Sequence, residues 1–263
     1  MRNVDVAWEA IFTAYEIGDH DFELSPFEIS AEQIKQATGQ FDKTGRREVR
    51  VLCKQDTREA RPFVFQKLGL FILPIRNGKF IIVKGEGYVD IPVIDEVIEV
   101  HRSALKFEPV TPLIGNSEMQ HLDFAYAASI IRTFAEDESL VLTIRGRHYT
   151  PRFTFQVNGH TITADSVQTE VDAGYEGSNQ VVLVEAKPAV NNTIIRQLYY
   201  PFRQWSENLR RDNHEKSVST LFFGKYRNEY LLWQFRFEDT ENYNSIKLLR
   251  SKKYSLVGGA HDS

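Results

Sequence analysis

The sequence predicts a mixed α/β chain made of two units, and three observations carry that reading. Asn77-Gly78 stands between two apolar runs, directly after helix-patterned segments. The second half alternates helical and strand patterns, which is the signature of a layered α/β fold. Val181-Val182-Leu183-Val184 is a continuous apolar, mostly β-branched run of the kind found in strands buried on both faces. With 263 residues, 42% hydrophobic and 12% aromatic, the chain has material for one large or two modest cores.

In the first half, residues 4–17 place Val6, Ala7, Ala10, Ile11 and Ala14 on one helical stripe. Ser30-Ala31-Glu32-Gln33 reads as a capping box opening a helix through Ala37, with Gly39 as the stop. Residues 46–53 alternate weakly and suggest a strand. Residues 57–68 look helical, with Pro62 near the first turn, where a missing N–H does little harm, and Gly69 as the C-cap. The runs 70–76 and 79–83 flank Asn77-Gly78, and that pair favours a type I′ hairpin turn because both residues tolerate positive φ. Helices followed by such a hairpin suit a winged-helix-like unit. Gly85-Glu86-Gly87-Tyr88 is too short to cradle a phosphate and reads as a turn. Residues 91–112, with Pro92, Pro109 and Pro112, are expected to form the crossover, with the units falling at 1–110 and 111–263.

In the second half, Ser117 to Gln120 forms another capping-box pattern and opens a helix expected to reach about Phe134. A short strand is expected at 140–144 and a hairpin about Asn158-Gly159. Residues 168–175 and 180–187 read as paired strands, followed by a helix over 193–209. Residues 218–223 and 230–237 are two more strands, and the rest reads as a polar tail bearing Lys and Arg.

Composition excludes several classes. No apolar run approaches the roughly 20 residues that span a bilayer, and no secretory signal opens the chain. A single cysteine, Cys53, excludes an internal disulfide and a Cys-rich zinc site, and points to a cytoplasmic home. The seven histidines lack zinc-ligand spacing. No serine-nucleophile motif occurs, and no organic cofactor or membrane is implied. A net charge of −4 argues against indiscriminate coating of nucleic acid, yet the charge is clustered. Lys43, Arg46, Arg47, Arg50, Lys54, Arg58 and Arg61 face three acids over 43–61, and Arg145, Arg147 and Arg152 form a second run without acids. Both are candidate DNA contacts, as are Arg196 and Arg203 on the helix after residue 193.

The chemistry centres on Glu185-Ala186-Lys187. Side chains alternate along a strand, so Glu185 and Lys187 share one side at the end of an apolar run, where an unpaired charge is very costly. Asp172 lies thirteen residues upstream on the neighbouring strand. Two carboxylates suit a hard divalent cation, the Ala186 carbonyl offers a third oxygen, and an ammonium beside them suits an attacking water and a phosphate. Glu170 is a rival ligand to Asp172.

An acidic residue on one hairpin strand, Glu-x-Lys on the next and a helix behind them resembles the PD-(D/E)xK nuclease superfamily, its type II restriction endonucleases in particular, over residues 117–237. Val171 stands where the name-giving pattern has proline. The resemblance implies Asp172 and Glu185 as Mg²⁺ ligands and Lys187 as the catalytic lysine. It also implies a supplementary carboxylate at Glu118 and a helix residue near the site at Gln197, three before Tyr200. It further implies double-stranded DNA as partner, a homodimer, and products with 5′-phosphate and 3′-hydroxyl ends. The competing expectations are a repair or structure-specific nuclease of the same fold, and a winged-helix regulator without enzymatic activity.

Overall fold

The computed structural model describes residues 2–115, 117–188 and 191–258. The first unit runs α1 (Asn3–Ala14), β1 (Phe27–Ser30), α2 (Ala31–Ala37), α3 (Thr44–Arg47), α4 (Val49–Leu52), α5 (Phe63–Leu68), β2 (Leu70–Arg76) and β3 (Lys79–Lys84). Its antiparallel sheet has the order β1-β3-β2, so the arrangement is winged-helix-like. Trp8 anchors the helices: its indole N–H donates to the Leu52 carbonyl at 2.9 Å, and its ring meets Phe65 edge-on. The capping box at Ser30 and Gln33 forms in both directions. Gly69 takes a φ of 66° and closes α5 in the left-handed region, as a glycine C-cap does.

Strand alternation decides how this unit joins the rest. Leu70, Ile72 and Ile82 pack inward against Trp8 and Ile11. Phe71, Leu73, Ile81 and Val83 point the other way, into a second core with Phe153, Phe155, Tyr199 and Tyr200. The small sheet is therefore buried on both faces, which explains its nearly unbroken apolar sequence.

The chain continues through β4 (Tyr88–Asp90), β5 (Glu99–Arg102), α6 (Thr111–Ile114), α7 (Glu118–Ala127), α8 (Ile130–Ala135), β6 (Val141–Tyr149), β7 (Phe153–Val157), β8 (His160–Ala164), β9 (Gln168–Glu176) and β10 (Gln180–Ala186). It ends with β11 (Asn192–Ile194), α9 (Arg196–Arg211), β12 (Ser217–Tyr226), β13 (Glu229–Phe237) and β14 (Ile246–Val257). Seven strands form one mixed sheet, β5-β14-β13-β12-β10-β9-β6. β10 and β12 are parallel, as are β14 and β5, while the other neighbours are antiparallel. Val182, Val184 and Ala186 face the α7–α8 side, and Val181 and Leu183 face Trp205 and Leu209 of α9. Both faces of β10 are covered, as its apolar run required.

Several local expectations change. Residues 46–53 form α3 and α4 rather than a strand, because Val49 and Leu52 turn together into the first core. The helix opened at Ser117 stops at Ala127; Ser129 takes a φ of 68° before α8 starts, and the Ser117 side chain makes no cap. The expected crossover at 91–112 is not all free chain: Glu99–Arg102 form β5, which pairs with β14, and β4, just before that stretch, pairs with β11. Residues 246–257, read as a tail, form a long strand. At Asn77-Gly78 only the glycine has positive φ, so the turn is not type I′, whereas Asn158 and Gly159 have φ of 46° and 87°. Among the described residues no helix is long and apolar enough to cross a membrane.

Candidate active site

β9 and β10 pair regularly until Val184 meets Ala173. There β9 bulges on its other side: Asp172 and Ala173 together stand opposite Arg145 in β6. A bulge of this kind re-aims side chains and ends local pairing. The Ala186 amide, left without a β9 carbonyl, is taken by the Asp172 side chain, whose Oδ2 accepts it at 2.7 Å. The Lys187 amide extends the parallel ladder to the Phe223 carbonyl. Asp172, Glu185 and Lys187 are thus held at one strand end, on the side of the sheet that α9 covers.

Lys187 Nζ lies 2.9 Å from Glu185 Oε1, with Glu185 buried and Lys187 partly open. Burial pushes the Glu185 carboxyl up to about 7; Lys187 opposes the rise, and Asp172 and Asp56 add to it. Asp172 is also raised, first by burial, despite the Ala186 N–H and Lys187. Burial works against the Lys187 ammonium, but Glu185, Asp56 and Asp172 outweigh it and the pKa rises. The two partners differ in direction of benefit because Glu185 is the deeper group and has two further carboxylates beside it. Above about pH 7 the two form an ionised pair at close contact, with negative charge in excess around it.

This trio opens into a cleft of about 600 Å³ between the two units. One wall carries Glu170, Asp172, Glu185, Lys187, Arg196 and Gln197. The other comes from the first unit: Lys35 of α2, Arg50 of α4, the loop holding Lys54 and Asp56, and Arg76 at the hairpin. Asp56 escaped the sequence reading. It arrives because the Ile194 amide donates to its carbonyl at 2.9 Å, the Arg58 amide donates to Asn192 Oδ1, and the Tyr88 hydroxyl donates to the neighbouring Gln55 carbonyl. No local pattern announces a loop pinned to a strand so distant in sequence.

Other candidates land elsewhere. Glu118 opens α7 on the opposite face of the sheet, is exposed, and does not line the cleft, so it supplies no carboxylate there. Gln197 does line the cleft and accepts a hydrogen bond from the Thr193 hydroxyl at 2.8 Å. Tyr200 is wholly interior and donates to the Pro74 carbonyl. Glu170 is exposed and lies 3.8 Å from Arg147.

The proposed DNA contacts divide in the same way. Arg203 is 4% exposed and spent internally, donating to the Tyr199 hydroxyl and the Thr154 and Thr240 carbonyls. It is a core residue, not a surface contact. Arg58 pairs with Glu86 and Asp90, Arg61 donates to the Leu70 carbonyl over the Tyr88 ring, and Arg145 pairs with Asp123. Arg46 donates to Asn3 Oδ1. Lys43, Arg47, Arg50, Lys54 and Arg152 remain exposed, and of these Arg50 and Lys54 line the cleft with the half-buried Arg196. His261 lies outside the described residues.

The donor set fits a hard cation in kind. Two carboxylates with raised pKa values and surplus negative charge favour a bound positive ion, and Mg²⁺ takes one or two carboxylates and completes its shell with water and phosphate oxygen. Among the described residues no three His, Cys, Asp or Glu side chains converge on one ion position, so protein alone does not complete a cage.

The fold and this cleft define a two-unit α/β chain whose acidic site sits where the units meet. Residues 83–255 match a family described as a domain of unknown function, DUF6997, and residues 5–82 match a second such domain, DUF6996. The chain belongs to the DUF6997 family. The two matched segments abut at 82 and 83, inside β3, the second strand of the first unit's hairpin. No curated protein and no solved structure matches the chain.

Proposed function

We propose that the chain is a Mg²⁺-dependent DNA endonuclease of the restriction type, hydrolysing phosphodiester bonds to 5′-phosphate and 3′-hydroxyl ends. One observation carries the reading: Asp172, Glu185 and Lys187 come together where the β9–β10 pairing ends, inside a cleft with basic side chains on its far wall. Asp172 and Glu185 would hold the cation, with the Ala186 carbonyl a candidate third oxygen. When bound, Mg²⁺ would neutralise charge growing on the phosphate and acidify its water. Lys187 orients the attacking water and counters phosphate charge, a role that a compact ammonium suits. Glu185 keeps Lys187 fixed at the strand end, and the Asp172 contact with the Ala186 amide holds the two strands in register.

The test is incubation of the purified chain with mixed plasmid DNA in Mg²⁺ and in EDTA, followed by sequencing of fragment ends. Discrete, sequence-defined ends that need Mg²⁺ support restriction. A structure-specific or repair nuclease would instead give cuts set by branches, gaps or ends. A winged-helix regulator would retard DNA in a gel under both conditions and never cut it.

A further inference from the structure

The far wall of the cleft has a charge pattern of its own. Lys35, Arg50, Lys54 and Arg76 bring four cations from α2, α4, the following loop and the hairpin, against Glu48 and Asp56 on the same wall. Asp56 lies 3.5 Å from Lys54, and Asp165 balances Arg76 at 3.0 Å. Lys35 and Arg50 are exposed, and among the described residues no carboxylate pairs with either. Across the cleft Glu170, Asp172 and Glu185 outnumber Lys187 and Arg196. A polyanion lying between the walls would meet free cations on one side and the carboxylates suited to a divalent ion on the other.

The space is also selective. About 600 Å³ is the size of a pocket for a drug-sized ligand, whereas a single turn of duplex DNA runs about 34 Å along its axis. A cavity of that size takes up a short stretch of one backbone rather than a whole turn of duplex. We propose that Lys35 and Arg50 form a phosphate-binding strip that holds a single nucleic-acid strand against Asp172, Glu185 and Lys187, Lys54 and Arg76 contributing the part of their charge not taken by Asp56 and Asp165. This deepens the nuclease reading and rests on it: the first unit clamps the backbone of the scissile strand, and the second cuts it.

The test is fluorescence anisotropy of a short labelled single-stranded oligonucleotide and of its duplex, with the full chain in EDTA across a range of KCl. Wild type, Lys35→Ala/Arg50→Ala and Lys67→Ala/Lys247→Ala are compared, the last pair being exposed, outside the cleft and on neither basic run. Each lost phosphate contact lowers the single-strand salt slope by about 0.7, so the strip variant should lose about 1.4 in slope and the control pair should match wild type. Wild type that binds single strands with a slope unmoved by the strip variant overturns the strip and leaves the nuclease reading standing. An equal loss in both double variants also overturns it, because the attraction is then diffuse. Tighter binding of duplex than of single strand overturns the one-strand assignment. Wild type that binds neither form also overturns the strip, while the plasmid digestion in Mg²⁺ decides the nuclease reading separately. Circular dichroism of each variant checks that the fold is kept.

Discussion

Lys187 Nζ and Glu185 Oε1 stand 2.9 Å apart on the same side of one strand end, and Asp172 reaches across to the amide between them. Charged groups this deep persist only when paired, and here the pairing leaves them facing a cleft. The arrangement therefore separates two roles that a lone ion pair would merge. Asp172 and Glu185 supply oxygen, and Lys187 supplies a positive charge that remains partly open to solvent. Lys187→Ala and Asp172→Ala should each lower plasmid cleavage by about 10³-fold, the scale of a lost electrostatic contact to a transition state. Gel retardation should survive both changes. A variant that cuts at the wild-type rate removes that residue from the assignment.

The raised pKa of Glu185 sets a pH dependence for the metal-free protein. Between its ordinary value of 4.5 and about 7 the folded chain holds a proton that the unfolded chain has released. Folded protein then binds more protons than unfolded, so stability falls as pH rises through that window and levels off above it. Urea unfolding in EDTA from pH 5 to pH 8 should show this decline. Glu185→Gln should flatten it, because no carboxyl is then left to titrate at that position. Mg²⁺ added at about 100 times its Kd should stabilise wild type by about 2.7 kcal/mol and leave Asp172→Ala unmoved. Equal effects of Mg²⁺ on both proteins would place the ion elsewhere.

Much of this architecture was legible because local and tertiary signals agreed. Asn158-Gly159 adopts positive φ at both residues, the Ser30 capping box closes, and the β10 run is buried on both faces. The misreadings have physical causes. β14 carries Lys247 on an exposed position and Arg250, Lys252 and Lys253 on partly exposed ones, so it imitates a solvated tail until β13 pairs with it. Val49 and Val51 suggested a strand, but burial of Val49 and Leu52 together demands a helical turn. In the site, Glu185 and Lys187 followed from alternation alone, and the bulge that aims Asp172 supports it without being visible in sequence. Asp56, Lys35 and Arg76 reach the cleft through packing between units, and no short-range pattern encodes that.

Gly87 sits where the two units meet with no room for a side chain. A Cβ there would meet the Phe71 ring at 2.4 Å, and the Gly87 carbonyl accepts both the Ile195 amide and the Tyr243 hydroxyl. Gly87→Ala should therefore force the ring or the backbone to move and cost about 2 kcal/mol, in the range of overpacked cores. Because the displaced contacts flank the start of α9, metal affinity should weaken along with stability. Thermal unfolding and Mn²⁺ titration of the variant measure both. An unchanged midpoint would mean that this junction is looser than its geometry implies.

Arg203 offers the sharpest separation between a structural and a functional cation. Its guanidinium sits over the Phe153 ring at 4.8 Å, donates to the Tyr199 hydroxyl and two backbone carbonyls, and lies 3.3 Å from Glu207, which also pairs with Arg210. Arg203 itself is buried and its donors are spent on these partners, so DNA has no access to the group. Truncation would leave the Thr154 and Thr240 carbonyls short of a donor and Glu207 with one cation fewer in a partly buried setting. Arg203→Ala should cost about 3 kcal/mol, the lower end for breaking a buried ionic network. Salt dependence of DNA binding, measured below the lowered melting point, should match wild type. Arg203→Lys should recover little, because a single ammonium cannot reach in-plane partners that a forked guanidinium serves together. A variant that keeps its stability but loses a unit of salt slope would return Arg203 to the DNA interface.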